Sequence, residues 1–252
     1  MIKTVYYAWR LVSTAFSYLV FGVGGLLISY LWLPLVRLII HSPDQRRVVA
    51  QYTISLGFDF MTRLMQRLGL IRVNFNDLAL LHESQGCVVV ANHPTLIDVV
   101  LMIGRLRQCD CIVKAALWNN YFLKEVISMA GYIPNNADDL LQRCSDSLAA
   151  GRKILVFPEG TRTDSTGEIH CQRGAAQMIV RCSADLQRVT IQCYPLTLMK
   201  EEKWYQIPAV VPTFTVTVYP LEKLDNILPG VELPSLAARK LTQYFNRELK
   251  PL

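Results

Sequence analysis

His93 and Asp98 are the residues of this chain whose types and spacing are best suited to moving a proton. The apolar run Cys87–Ala91 stops at Asn92-His93-Pro94 and reads as a buried strand entering a turn. Apolar residues from Leu96 to Leu106 then read as a helix. Open α/β sheets hold their ligands at such junctions, beyond the carboxyl ends of the strands. Asp98 falls about one helical turn inside that helix, so its carboxylate can reach back to one imidazole nitrogen while the other faces the cleft. A carboxylate so placed fixes the tautomer and makes the imidazole a better proton acceptor. The same residues taken alone also fit a turn histidine beside a capping aspartate.

A second strand breaks at a second polar block further along, Lys153-Ile154-Leu155-Val156-Phe157-Pro158-Glu159-Gly160-Thr161-Arg162-Thr163. The pairing of Asn-His-xxxx-Asp with Phe-Pro-Glu-Gly-Thr-Arg resembles the signature of the glycerolipid acyltransferases, the lysophosphatidate acyltransferase group. The resemblance runs from roughly Leu70 to Tyr219. It implies O-acyl transfer from an acyl thioester, acyl-CoA or acyl carrier protein, to a lysophospholipid-type hydroxyl. His93 would be the general base and Asp98 its partner. Asn92, Lys114, Glu159, Gly160, Thr161, Arg162 and Gly174 are the substrate-binding positions it implies, with no cofactor and no metal.

Weaker blocks follow the same family. Lys114 ends a strand where a basic residue is common, Arg173-Gly174 matches a basic-Gly pair, and Pro195 within Ile191–Leu196 resembles a fourth block, though it also fits a strand-end breaker. Gly131-Tyr132-Ile133-Pro134-Asn135-Asn136 departs from the pattern, because asparagine stands where the family usually carries arginine. That departure bears on how, and whether, an acceptor phosphate is gripped; Asn135 and Asn136 also fit plain turn residues. His-Pro-Thr-Leu-Ile-Asp together with Gly-Tyr-Ile-Pro-Asn resembles bacterial members associated with aryl polyene lipid biosynthesis.

The chemistry needs no protein nucleophile. Acyl transfer to an alcohol requires a hydroxyl that loses its proton as it attacks, and a stabilised oxyanion. His93 would take the proton, Asp98 would steady the imidazolium, and no Gly-x-Ser-x-Gly elbow occurs in the chain. Arg162 can hold an anion with its forked donors. Glu159 either shapes the acceptor pocket, as the resemblance implies, or pairs with Arg162. A lipid-binding protein with a vestigial site and a thioesterase-like hydrolase are the competing readings.

Composition points to a lipid surface. The chain has 252 residues, 52% hydrophobic and 18% charged, with a formal net charge of +6. A basic balance favours anionic partners, and the absence of arginine-rich runs or RNP-like aromatics argues against nucleic acid. The seven cysteines form no Cys-x-x-Cys pair, and most read as small core residues. Leu11–Val36 carries no charge and is bracketed by Arg10 and Arg37, with Tyr6, Tyr7, Trp9 and Trp32 near its ends. Its length suits a tilted span or a re-entrant hairpin bent at Gly22, Gly24, Gly25 or Pro34; a buried core helix is the soluble alternative. A helix from Ser42 to about Leu68 alternates Arg46, Arg47, Arg63 and Arg67 with apolar residues. It fits a basic face on an anionic membrane or an ordinary domain helix. The basic excess after the run would leave the catalytic domain on the cytoplasmic face of a bacterial inner membrane.

Two regions are therefore expected: residues 1–69, helical and membrane-associating, and 70–252, an α/β acyltransferase domain. Strands over Ile71–Phe75, Cys87–Ala91, Cys111–Val113, Ile154–Phe157, Val189–Leu198 and Phe214–Tyr219 alternate with helices over Leu96–Leu106, Trp118–Ala130, Ala137–Ala150 and Cys171–Ser183. Such alternation predicts a mostly parallel sheet covered by helices on both faces.

Overall fold

The computed structural model describes residues 2–120, 123–164 and 167–250. The amino-terminal run forms one continuous rod of α1 (Ile2–Leu27), a π-helical stretch (Ile28–Trp32) and α2 (Leu33–Ile39). Pro34 accounts for the stretch before it. Proline lacks an amide hydrogen and its ring crowds the carbonyl four residues back, and here the Leu33 amide reaches five residues back to the Ile28 carbonyl. The helix runs unbroken through the glycines at 22, 24 and 25. The reversal comes beyond the run, at residues 40–42, where Ser42 caps α3 (Pro43–Arg67) by accepting from the Gln45 amide and Pro43 takes the first helical position.

α3 runs back along the rod. Trp32 donates to Thr53 Oγ1 (3.0 Å), Phe21 meets Phe58 with centroids 6.1 Å apart, and Trp9 donates to the Leu68 carbonyl (3.2 Å). The face α1 turns toward the domain is polar: Arg10, Ser13 and Ser17 are buried. Its outer face carries Trp9, Phe16, Leu19, Val23 and Leu27, all exposed. A helix in water has the opposite arrangement. On α3 a stripe at four-residue spacing, Val48, Tyr52, Leu56 and Phe60, is exposed as well.

The basic face expected on α3 is not a surface face throughout. Arg47 turns inward to Asp110, which is fully buried on β3 (Cys109–Val113). Gln51 donates to the same carboxylate (2.7 Å), Ser147 donates from the far side, and Arg152 lies 3.5 Å away. Arg63 and Arg105 both pair with Asp59, at 2.7 and 2.8 Å. A buried carboxylate requires such partners, and α3 supplies them.

The domain proceeds through β1 (Arg72–Asn76), α4 (Leu78–Glu83), β2 (Val88–Ala91), α5 (Asp98–Arg105), β3, α6 (Lys124–Met129), β4 (Ile133–Pro134) and α7 (Leu140–Ala149). It continues through β5 (Lys153–Val156), α8 (Arg173–Arg181), β6 (Leu186–Tyr194), β7 (Thr213–Glu222), α9 (Leu224–Ile227) and α10 (Pro234–Glu248). The sheet order is β1-β7-β6-β2-β5-β3-β4; β6 and β7 pair antiparallel and every other neighbour is parallel. The expected mostly parallel sheet is therefore present, with one antiparallel step. β2 lies at its centre and is buried along its whole length. Val89 and Ala91 face one core with Ile54, Leu101 and Met102; Val88 and Val90 face the other with Ile179, Leu241 and Phe245. Burial on both faces explains the unbroken Val-Val-Val run.

Several boundaries differ from expectation, three of them around the site. The strand from Val189 stops at Tyr194, because Pro195 cannot donate to the ladder, and residues 195–212 form a loop to β7. The helix expected over Trp118–Ala130 is a 3₁₀ turn, Ala115–Asn119, followed by the shorter α6; Tyr121 and Phe122 within it lie outside the described residues. Helix α5 begins at Asp98 rather than Leu96.

Candidate active site

β2 delivers His93 to the carboxyl edge of the sheet, and α5 begins five residues later with Asp98. His93 Nδ1 lies 2.9 Å from Asp98 Oδ2. The Thr95 amide donates to that same oxygen (2.6 Å), and the Thr95 hydroxyl donates to Oδ1 (2.6 Å). Asp98 is fully buried, which pushes its pKa upward, while the hydrogen bonds from His93 and Thr95 pull the other way. With Nδ1 facing a carboxylate, the imidazole keeps its proton there and leaves Nε2 as the acceptor. Phe157, at the end of β5, holds the ring at a centroid distance of 4.5 Å, and the His93 side chain stays 15% exposed.

Glu159 comes from the second block and locks the turn. One carboxylate oxygen accepts from the His93 backbone amide (2.8 Å) and the other from the Thr163 hydroxyl (2.9 Å), while the Thr163 amide donates to the His93 carbonyl (2.8 Å). Burial pushes Glu159 upward, against those two hydrogen bonds. The turn beneath it needs Gly160, which sits at φ +66°, a conformation side chains with a Cβ resist.

Arg162 does not pair with Glu159. Its Nη1 donates to the carbonyls of Leu198 (3.0 Å) and Met199 (2.7 Å), and its Nη2 donates to that of Lys200 (3.2 Å). Those bonds use three of a guanidinium's five N–H groups, and no carboxylate among the described residues neutralises its charge. The Leu198 carbonyl also accepts from the Leu96 amide (3.1 Å), so Arg162 and the His93 turn share one acceptor. Leu198 takes φ +54° to present it.

The other expected positions sit differently. Asn92 is buried and clamps β6, donating to the Ile191 carbonyl (2.8 Å) and accepting from the Ile191 amide (2.6 Å). Thr161 is half-buried between Gly160 and Arg162. Lys114 is exposed at the start of the 3₁₀ turn, and Gly174 is exposed in the first turn of α8. No hydrogen bond or ion pair among the described residues ties either to the His93–Asp98 pair. Asn135 accepts from the Ala115 amide (3.0 Å), as a turn residue would.

Sequence reasoning passed over Thr95, Thr163 and the 198–200 carbonyls. Thr95-x-x-Asp98 carried a signal, since Ser/Thr three residues before an acidic residue marks a helix start with reciprocal hydrogen bonds. Thr163 and the carbonyls carried none. The cysteines are poor nucleophiles here: burial pushes Cys111, Cys144, Cys171 and Cys193 up to about 12, and a thiol must ionise to attack.

Residues 72–199 match the family model described as Acyltransferase. A human 1-acyl-sn-glycerol-3-phosphate acyltransferase beta is 23% identical over 179 residues, 66% of this chain and 61% of that protein. A chloroplastic 1-acyl-sn-glycerol-3-phosphate acyltransferase of Arabidopsis thaliana is 24% identical over 127 residues, 48% of this chain and 36% of that protein. The chain thus spans about a third to three fifths of the length of these relatives. In fold it is similar to the crystal structure of the 1-acyl-sn-glycerophosphate acyltransferase PlsC from Thermotoga maritima, with a TM-score of 0.69, 18% identity and full coverage of both chains.

Proposed function

The chain belongs to the Acyltransferase family, and from that premise we propose that it transfers an acyl group from a thioester to the hydroxyl of a lysophosphatidate-type acceptor. The observation that carries this reading is the His93–Asp98 pair, 2.9 Å apart, with a fully buried carboxylate and Nε2 left as the proton acceptor. The acceptor hydroxyl loses its proton to Nε2 as its oxygen bonds to the thioester carbonyl carbon. The C–S bond then breaks, and the leaving thiolate takes the proton back from the imidazolium. Asp98 steadies the imidazolium between the two steps. No residue of the chain is acylated, in keeping with thiols held well above neutral pH.

Arg162 supplies positive charge for the acceptor's anionic head through the two N–H groups it has left. Glu159, Gly160 and Thr161 shape the turn that carries it. The donor is acyl-CoA or acyl carrier protein. The apolar outer face of α1 and α2 and the exposed stripe on α3 favour docking to a membrane, where an acyl-chain acceptor resides. The basic excess after the run favours the cytoplasmic face of a bacterial inner membrane.

One observation favours a narrower alternative, an acyltransferase of a specialised pathway such as aryl polyene lipid synthesis. Asn135 or Asn136 stands where the family usually has an arginine, and Asn135 commits its side chain to a turn, which leaves Arg162 with less help against a phosphate. The deciding experiment is mass spectrometry of products from the purified protein given acyl-CoA and acyl carrier protein donors with phosphorylated and non-phosphorylated lysolipids. A new ester on a phosphorylated lysolipid supports the main reading. An ester only on a non-phosphorylated acceptor supports the alternative. Free fatty acid alone, with no ester, would overturn both in favour of hydrolysis.

A further inference from the structure

The loop between β6 and β7 is held at both ends by arginines that have no carboxylate among the described residues. Arg162 grips its first turn through the carbonyls of residues 198–200. Arg10, buried in the middle of α1, grips its far end by donating to the carbonyls of Pro208 (2.7 Å) and Ala209 (3.3 Å). Guanidinium groups withdrawn from water need acceptors, and the buried Arg10 and half-buried Arg162 both find them on this one segment. Between the clamps the loop presents side chains to solvent that a loop in water rarely carries. Trp204 is 42% exposed, Tyr205 45% and Val210 65%, and Leu196 is exposed just before the first clamp.

These side chains adjoin an exposed aromatic flank of α1 at Tyr18. Tyr18 of α1 meets the Trp204 ring at 5.9 Å, and Trp204 meets Tyr205 edge-on at 5.7 Å. Tryptophan and tyrosine gather where an apolar medium meets water. The charges nearby cancel: Lys200 and Lys203 stand beside Glu201 and Glu202. The loop's own side chains are thus apolar or cancel in charge, which suits the acyl-chain boundary of a bilayer better than a charged partner.

We propose that residues 196–210 form a second membrane contact, seated in the bilayer interface beside α1, through which the position of the membrane surface is transmitted to the His93 turn. The transmission is structural. The Leu198 carbonyl joins Arg162 to the Leu96 amide, and the Arg10 clamp joins the same loop to α1. The proposal rests on α1 docking to lipid, as put forward above, and its test separates the two. Because the loop is neutral, its contact is expected to survive high salt and to form on zwitterionic vesicles.

The test is tryptophan quenching by phosphatidylcholine vesicles with brominated acyl chains, comparing the full chain with Trp204→Phe, alongside vesicle flotation. The expected result is that both proteins float with the vesicles. A quenched component of the emission should be present in the parent and missing from Trp204→Phe, unchanged by 0.5 M salt (about the range where surface charge pairs are screened). Flotation with identical quenching in the two proteins would overturn the loop contact and leave α1 docking intact. A chain that does not float would overturn both. Quenching that vanishes with salt would also overturn the proposal, since it would make the contact ionic. Trp204→Ser with Tyr205→Ser provides the functional arm. It should raise the apparent KM for an acceptor carried in vesicles by tenfold or more and leave turnover of a short-chain acceptor in solution within twofold. An equal loss on both acceptors would count against the proposal.

Discussion

Replacing Asp98 by asparagine separates the two services a carboxylate can perform for His93, orientation and charge. Oδ2 of Asp98 accepts from His93 Nδ1 and from the Thr95 amide, and Oδ1 accepts from the Thr95 hydroxyl. A backbone amide can only donate, whereas a hydroxyl can turn and accept. Asparagine therefore keeps its oxygen at the Oδ2 position and points its NH₂ at the Thr95 hydroxyl. In that orientation Nδ1 still has an acceptor, and the tautomer that leaves Nε2 basic survives. What is lost is the charge opposite the imidazolium. Unit charges about 4 Å apart interact by about 4 kcal/mol at an effective dielectric constant of about 20, equivalent to roughly a thousandfold in rate. Asp98→Asn should lower kcat by about that factor with little change in either KM, while His93→Ala loses up to about 10,000-fold. The assay is initial-rate product formation with donor and acceptor each saturating, with circular dichroism confirming that both variants fold. An Asp98→Asn protein as inactive as His93→Ala would show that the amide flips and traps the other tautomer, refuting the inference from Thr95. A loss smaller than tenfold would remove Asp98 from charge stabilisation altogether.

Arg162→Ala should raise the acceptor KM by roughly ten- to a hundredfold, the worth of a charge-assisted hydrogen bond, and Arg162→Lys should raise it less because it keeps the charge but loses the fork. The donor KM should change little, so kinetics with each substrate varied in turn decide it; unchanged kinetics with a lowered Tm would leave Arg162 only its hold on the loop. Deleting residues 1–40 should abolish flotation with vesicles and leave the protein aggregated or poorly active on long-chain acceptors, and a soluble, fully active truncation would count against α1 as an anchor. Glu159 titrates above its ordinary value of 4.5 because it is buried, so its contribution to stability is full below that pH and falls as pH rises through the raised value. Glu159→Gln should flatten that fall, and urea midpoints measured from pH 4.5 upward for both proteins check it: parallel curves would mean that Glu159 does not titrate in this range.

His93, Asp98 and the second block could be read directly from the chain, because each lies where an apolar strand ends and a polar turn begins. The Val88–Val90 run and the apolar stretch of α5 settled their elements as well, since a central parallel strand must be buried on both faces. Arg162 was legible as a cation near the site, but not as a clamp. Its partners are backbone carbonyls thirty-six to thirty-eight residues away, and carbonyls leave no mark in a sequence. Arg47 was misread for a related reason. Its periodicity placed it among surface arginines, while the carboxylate that turns it inward lies on β3, sixty-three residues on. The boundary at Tyr194 was legible in Pro195 as a strand-end breaker, against the apolar run that continues past it.

Asp110 bears on how the protein assembles. Two of its partners, Arg47 and Gln51, belong to the helix that also displays the apolar stripe, and two, Ser147 and Arg152, follow it in the chain. As the polypeptide emerges, the guanidinium is made first and its carboxylate follows sixty-three residues later. Removing one partner of a buried ion pair costs about 3–5 kcal/mol, a large part of what keeps a domain of this size folded. The helix that packs along α1 and the strands around the histidine are thereby joined into one cooperative unit. Helix α3 is thus no detachable tag: exchanging it for a helix without a matching arginine should lower the stability of the whole domain.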